Sequence, residues 1–109
     1  MNFSLISNLV HFFSFNLTKI ISVEKLKNLA IIIPSYNEEK TVCTVVENIN
    51  KHLESFVKIN NFDIIVIDDG SIDETGKKVK DLNNTILLTH GFNRGIGAAV
   101  RTGLQFAEN

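Results

Sequence analysis

The sequence predicts an open α/β sheet of parallel strands with helices on both faces, and two observations predict it. First, short uninterrupted apolar runs ("LAIII" at 29–33, "FDIIVID" at 62–68, "TILLTH" at 85–90) alternate with stretches of helical periodicity. Strands that are apolar along their whole length are buried on both sides, as in parallel sheets. Second, each run gives way abruptly to a polar loop: "PSYNEE", "DDGS" and "HGFNRG". In Rossmann-like sheets of this kind, ligands sit at the carboxyl ends of the strands.

Each element follows in order. Residues 1–25 read as an amino-terminal extension to a domain over 28–109, because composition shifts near residue 23. Phe3, Ile6, Val10, Phe13, Leu17 and Ile20 recur at spacings of three and four, with Ser4, Ser7, His11, Ser14 and Thr18 opposite them. That spacing predicts an amphipathic helix, packed on the domain, lying at a membrane surface or partly disordered. Polar residues interrupt every apolar run well short of the roughly 18 residues of a membrane span. A signal peptide does not fit either, as the segment lacks a basic start and a small-residue cleavage site.

The first strand, 29–33, is expected to stop at Pro34. Val42, Val45, Val46, Ile49, Leu53, Phe56 and Val57 mark one face of a helix over about 38–58. Ser71 and Glu74 have the spacing of a capping box, which opens a short helix running to about Leu82. The last helix carries Ile96, Val100 and Leu104 in register.

Bulk properties set the limits. The 109 residues make one small domain or part of one, with 44% apolar and 21% charged residues and a net charge of −1. At this length folding removes roughly 65% of the unfolded surface from water, enough for a core. Lys and Arg cluster nowhere, so nucleic acid is not an expected partner. The lone cysteine, Cys43, excludes an internal disulfide and a multi-cysteine metal site. It fits a small residue at a helix–sheet contact, and a reducing cytoplasm suits it.

Three loops therefore converge on one edge. They bring Tyr36, Asn37 and Glu38 together with Asp68, Asp69 and Ser71, and with Asn93, Arg94 and Gly95. An aromatic ring offers a stacking surface for a base, carboxylates accept from imino and sugar hydroxyl groups, and a guanidinium or helix amino-terminus suits phosphate. Together they describe a nucleotide pocket. A dinucleotide fingerprint is excluded, because "PSYNEE" holds no glycine and Gly103 comes too late to complete the spacing from Gly95. A P-loop is missing too. "IDDGSID" approaches the nucleophile loop of haloacid-dehalogenase phosphatases, but Ile67 stands where that loop needs an aspartate.

"IIIPSYNEEKTV", "DIIVIDDGSIDET" and "NRGIGAAVRTGLQFA" resemble three successive blocks of the family 2 glycosyltransferases, which have the GT-A fold. The likeness covers residues 29–108 and is greatest to polyprenyl- and dolichyl-phosphate hexose synthases. The resemblance implies transfer of a hexose from a UDP- or GDP-sugar to an acceptor such as polyprenyl phosphate. It implies base contacts from Pro34 and Tyr36, and a nucleoside contact from Glu38. Asp69 would hold the base or ribose, with the Ile67 backbone beside it. Asp68 would support the loop while Gly70 and Ser71 shape the turn, and Arg94 would border the donor. Gly97 and Gly103 would be small positions of a closely packed helix.

Each residue also has a plainer reading. Glu38 and Glu39 suit a first helical turn, Asp68 a structural loop acid, and Tyr36 the edge of the core. Arg94 could simply meet a carboxylate or water. His90 reads as an ordinary strand-end residue. The resemblance also implies Mg²⁺ or Mn²⁺, held by an Asp-x-Asp motif after a fourth strand. No such motif occurs in this chain, so the expectation is an amino-terminal fragment, inactive in transfer by itself and carrying no metal ligands. Such a chain would be cytoplasmic, with a peripheral position at the cytoplasmic face of a membrane as the alternative. The sheet would keep an uncovered edge, and self-association through it is expected. The alternative is a non-catalytic module that binds a nucleotide or a partner and retains only the fold. A nucleotidyltransferase of the same fold would need a glycine- and base-rich first loop, which "PSYNEE" is not.

Overall fold

The computed structural model describes residues 10–15, 18–25, 28–54 and 61–108. In chain order the elements are β1 (Val10–Phe15), β2 (Thr18–Lys25), β3 (Asn28–Ser35), α1 (Val42–Glu54), β4 (Asn61–Asp68), α2 (Thr75–Lys80), β5 (Thr85–Thr89) and α3 (Ile96–Glu108). The strands form a single sheet in the order β1-β2-β3-β4-β5. β3, β4 and β5 are parallel, as the apolar runs predict.

Alternation along β3 and β4 divides the core in two. Ile31, Ile33, Ile64 and Val66 turn to one face and pack with Val42, Val46 and Ile49 of α1 and Val79 of α2. Ile32, Ile65 and Ile67 turn to the other and pack with Ala99 of α3. The parallel register sets Ile31 beside Ile64 and Ile33 beside Val66, so each face is filled in matching rows. Burying an isoleucine contributes roughly 1.5–3 kcal/mol, so these rows fix the register against a one-residue slip. Cys43 is half-buried against the α1 face, as its small size predicts.

Several expectations change. Residues 10–15 and 18–25 are strands, not an amphipathic helix. β1 and β2 pair antiparallel, and β2 pairs antiparallel with β3, so this segment extends the domain's own sheet. The helical spacing there competes with "VHFFSF" and "TKIISV", which are rich in the aromatic and β-branched residues that suit strands. Pairing with the exposed side of β3 decides the outcome. Residues 1–9 of the predicted helix, and Leu17, lie outside the described residues.

β3 continues through Pro34 to Ser35. Pro34 lies past Ile32, the last β3 residue paired with β2, so its missing N–H interrupts no β2–β3 pairing. α1 begins at Val42, four residues later than predicted, because Glu38 to Thr41 form a turn in which Glu38 O accepts from Thr41 N and Val42 N. The rest of the predicted helix, at 55–58, lies outside the described residues. α2 starts at Thr75 and ends at Lys80, and no side chain caps its start.

Gly103 and Gly97 separate clearly. A Cβ at Gly103 would lie 2.5 Å from Ile32 Cγ2 and 2.9 Å from Ile67 Cδ1, so α3 sits on the sheet at the distance that a bare backbone allows. A Cβ at Gly97 would meet nothing within 4 Å, which corrects the expected close packing there. Gly103→Ala should therefore destabilise the fold by about 1–3 kcal/mol through overpacking. Gly97→Ala should stabilise it by about 0.5–1 kcal/mol through helix propensity. Urea unfolding of both variants checks the opposite signs.

Candidate functional site

Because β3, β4 and β5 run parallel, their carboxyl ends open on one edge, and the loops 36–41, 69–74 and 90–95 meet there. The first two loops are fastened to each other by reciprocal hydrogen bonds. Asn37 N donates to Ser71 Oγ at 2.9 Å, and Ile72 N donates back to Asn37 Oδ1 at 3.0 Å. Glu38 N donates to Thr75 Oγ1 at 2.8 Å and Glu39 N to Asp73 Oδ2 at 3.2 Å. Glu74 N returns a bond to Glu39 Oε2, and Lys78 Nζ donates to Glu39 O. Asn37 accommodates this with a left-handed backbone, φ 52°, which asparagine tolerates better than most residues. Ser71 is thus not the first half of a capping box: its hydroxyl serves a residue 34 positions away.

The third loop is fastened to the second by Asp69. Its Oδ1 accepts from Arg94 N at 2.9 Å and from the His90 Nδ1–H at 2.7 Å, and its Oδ2 accepts from Gly95 N at 2.8 Å. His90 Nε2 lies 2.8 Å from Thr102 Oγ of α3. Asp69 is 4% exposed and His90 8%. Burial opposes ionisation of Asp69, but the Arg94 amide, the His90 ring and the Gly95 amide outweigh it and hold the carboxyl below its ordinary value. Asp73 behaves likewise: desolvation raises it, and bonds from the Thr75 hydroxyl, the Thr75 amide and the Glu39 amide bring it down further.

Gly70 completes the junction. Its φ is +73°, and a Cβ there would lie 2.3 Å from Phe92 C and 2.5 Å from Asn93 N, so the third loop rests directly on the Gly70 backbone.

The adjacent carboxylates of Asp68 and Asp69 do not confront each other. The strand's alternation sends Asp68 toward α2, where a Cβ at Gly76 would come 2.5 Å from Asp68 Oδ2, and its Oδ1 accepts from Ser71 N. Asp69 goes the other way, to His90 and the third loop.

The remaining predicted residues are placed as follows. Pro34 is half-buried at the end of β3. Tyr36 is 42% exposed. Glu38 is half-buried, and its Oε2 accepts from Thr41 Oγ1 at 2.8 Å. Ile67 lies within the sheet between Pro34 and Leu88, its side chain fully buried beneath α3. The Arg94 side chain is exposed. The edge therefore offers an accessible ring and an accessible guanidinium around a frame of bonded acids. A carboxylate has about four acceptor positions, so Asp69 keeps one on Oδ2 after its three internal bonds. Ser35 Oγ is buried with no partner among the described residues.

Sequence reasoning passed over His90, Asp73, Thr75 and Thr102. His90 did leave a signal, a polar side chain immediately after a buried strand and before a glycine. The other three act across the fold or between helix turns, where no local pattern reports them.

The profile of Glycosyl transferase family 2 matches residues 30–109. The chain belongs to that family. Among its relatives is a UDP-N-acetylglucosamine–dolichyl-phosphate N-acetylglucosaminyltransferase of Methanococcus voltae, 38% identical over 98 residues, covering 74% of this chain and 36% of that protein. Dolichyl-phosphate beta-glucosyltransferases of Mus musculus and Dictyostelium discoideum are 36% and 35% identical, covering 72% and 70% of this chain but only 27% and 26% of theirs. The chain thus spans roughly a quarter to a third of these relatives' length. No solved structure matches it significantly. Family 2 enzymes generally use a divalent metal. Among the described residues no group of three or more His, Cys, Asp or Glu is placed to hold one, so these residues do not fit a metal site.

Two outcomes follow for the loop junction. Gly70→Ala should cost about 2–4 kcal/mol, combining a left-handed backbone with a backbone clash, and thermal unfolding reads it. Asp69, whose folded value is depressed, binds its proton more readily in the unfolded chain. Its stabilisation is therefore complete above about pH 4 and is lost as pH falls through the folded value. Urea midpoints of Asp69→Asn should fall less steeply over that acid range than those of the wild type.

Proposed function

We propose that this chain recognises the nucleotide of a UDP- or GDP-hexose, as part of a glycosyltransferase that passes the hexose to polyprenyl phosphate. The observation that carries the reading is the interlocked edge itself: three strand-end loops held in one arrangement, with the Tyr36 ring and the Arg94 side chain left accessible on it. Family membership and relatives named for dolichyl-phosphate sugar transfer support it.

In this reading Tyr36 stacks on the base beside Pro34, and the remaining acceptor position of Asp69 takes one donor from the base or ribose. Glu38 faces the nucleoside from the first loop, and the Ile67 backbone lies beside Asp69. Asp68 holds the second loop in shape by accepting from Ser71 N. Arg94 meets the diphosphate, next to the amino-terminal end of α3, where the helix dipole favours an anion. These residues bind and orient the donor, and none of them is assigned the attack on the sugar. Mg²⁺ or Mn²⁺ would act through residues other than those described.

The polyprenyl acceptor implies a position at the cytoplasmic membrane face. No helix among the described residues is long and apolar enough to cross a membrane, so that position would be peripheral for this part of the protein. Among the described residues the end strands β1 and β5 each have one neighbour in the sheet, and self-association would use such an edge.

Calorimetric titration with UDP and GDP tests the proposal. One of the two should bind, and Tyr36→Ala should weaken it roughly fivefold to a hundredfold, since base–aromatic stacking contributes about 1–3 kcal/mol. Absence of binding by both nucleotides, or full affinity in the Tyr36 variant, would overturn it. Incubation with each nucleotide-hexose, Mn²⁺ and a polyprenyl phosphate separates binding from transfer, and no turnover is expected of this chain.

A further inference from the structure

Asp69, His90 and Thr102 form a connected line of polar side chains from β4 through the third loop to the middle of α3. The order of residue types resembles a nucleophilic triad, but Thr102 Oγ is enclosed between two partners, Ala98 O at 3.0 Å one turn back in its own helix and His90 Nε2 at 2.8 Å. An attacking hydroxyl needs a free approach, so the line is not a hydrolytic site.

Its geometry points to a different use. We infer that His90 and Thr102 are positioning residues for nucleotide binding, a latch that holds Asp69, and through it the Arg94 and Gly95 amides, in the arrangement that receives the ligand. The inference rests on the nucleotide reading proposed above.

The argument begins with Asp69. A buried carboxylate with two amides on it fixes the loop only as firmly as the carboxylate itself is fixed. On one side Asp69 is anchored by the backbone, since Asp69 N donates to Ser35 O at 2.8 Å. On the other the His90 ring meets Oδ1, and the ring is in turn held at both ends. Its backbone N donates to Asp68 O at 2.9 Å and its Nε2 meets Thr102 Oγ. α3 itself is seated by Ala99 and Gly103 against the sheet. The third loop is therefore referred back to the core by side chains that need not touch the ligand.

The hydroxyl suits this task because it rotates. Thr102 Oγ has one proton and two neighbours, Ala98 O and His90 Nε2. If the ring carries a proton on Nδ1 alone, the hydroxyl turns its proton to Nε2. If Nε2 is protonated as well, Nε2–H donates to Oγ and the hydroxyl proton turns to Ala98 O. The contact survives either state of the ring, so the loop keeps its form in both. A methyl group in place of the hydroxyl breaks it in both states and leaves a buried ring nitrogen without its partner.

Thr102→Val and Thr102→Ser test this, one nearly isosteric without the hydroxyl and the other retaining it. Affinity for UDP and GDP is measured well below the unfolding transition, so that loss of stability does not register as loss of binding. Thr102→Val should weaken the nucleotide that binds the wild type roughly fivefold to tenfold, the scale of one unsatisfied buried polar group. Thr102→Ser should stay within about twofold of the wild type. Amide hydrogen exchange at Arg94 and Gly95 should accelerate in the valine variant and not in the serine variant. Unchanged affinity and unchanged exchange in Thr102→Val would overturn the latch while leaving nucleotide binding intact. If the wild type binds neither UDP nor GDP, the nucleotide reading fails, and the positioning role fails with it. Exchange at the two amides then still decides whether the mechanical link exists.

Discussion

Asp69 receives donors from residues 21 to 26 positions further along the chain, and the form of the carboxyl edge follows from that one carboxylate. Three strands ending on one side would by themselves leave three independent loops. The buried acid turns two of them into one body, because a charge this far from water is tolerated only when donors surround it. Here two of those donors are backbone amides. They cost no side-chain entropy to order, and they place the loop itself, not merely a side chain on it.

The same economy runs through the rest of the edge. The end of β4 and the first two loops bring six acids to this edge: Glu38, Glu39, Asp68, Asp69, Asp73 and Glu74. Their carboxylates are met mainly by backbone N–H groups and hydroxyls: Ser71 N on Asp68, Thr41 Oγ1 on Glu38, Glu39 N and Thr75 N on Asp73, Glu74 N on Glu39. Such bonds to an ionised acceptor are stronger than neutral ones, and each closes a gap between two loops or tightens a turn. A family reading assigns acids in these positions to the ligand. In this chain the hydrogen bonds they accept go to building the frame on which the accessible ring and guanidinium stand.

Much of this was legible in the sequence, for reasons that can be traced. The strands at Leu29, Ile64 and Ile86 were readable because continuous apolar runs have few other homes, and the loops because each run ends so sharply. The segment at 10–25 was misread because its apolar residues satisfy a helical period while their types favour strands. What settles it is antiparallel pairing with β3, which starts only three residues beyond β2. Ser71 and Glu74 were spaced as a cap, yet the hydroxyl bonds Asn37. His90 looked incidental because its two partners, Asp69 and Thr102, lie on opposite sides of it in the chain and meet only in the folded structure. The resemblance implies close packing for both Gly97 and Gly103 and holds for Gly103 alone, since a helical position by itself cannot tell which glycine lies over an isoleucine.

The hairpin of β1 and β2 has a consequence for topology. In a doubly wound sheet of order 3-2-1-4, the first strand is central and its far side belongs to the fourth. β5, β4 and β3 reproduce the 3-2-1 half of that order, but the far side of β3 is already taken by β2, running antiparallel along Asn28 to Ile32. β3 is thus saturated with neighbours over most of its length. Any additional parallel strand can reach it only by evicting the hairpin, and otherwise must join the sheet at its margins.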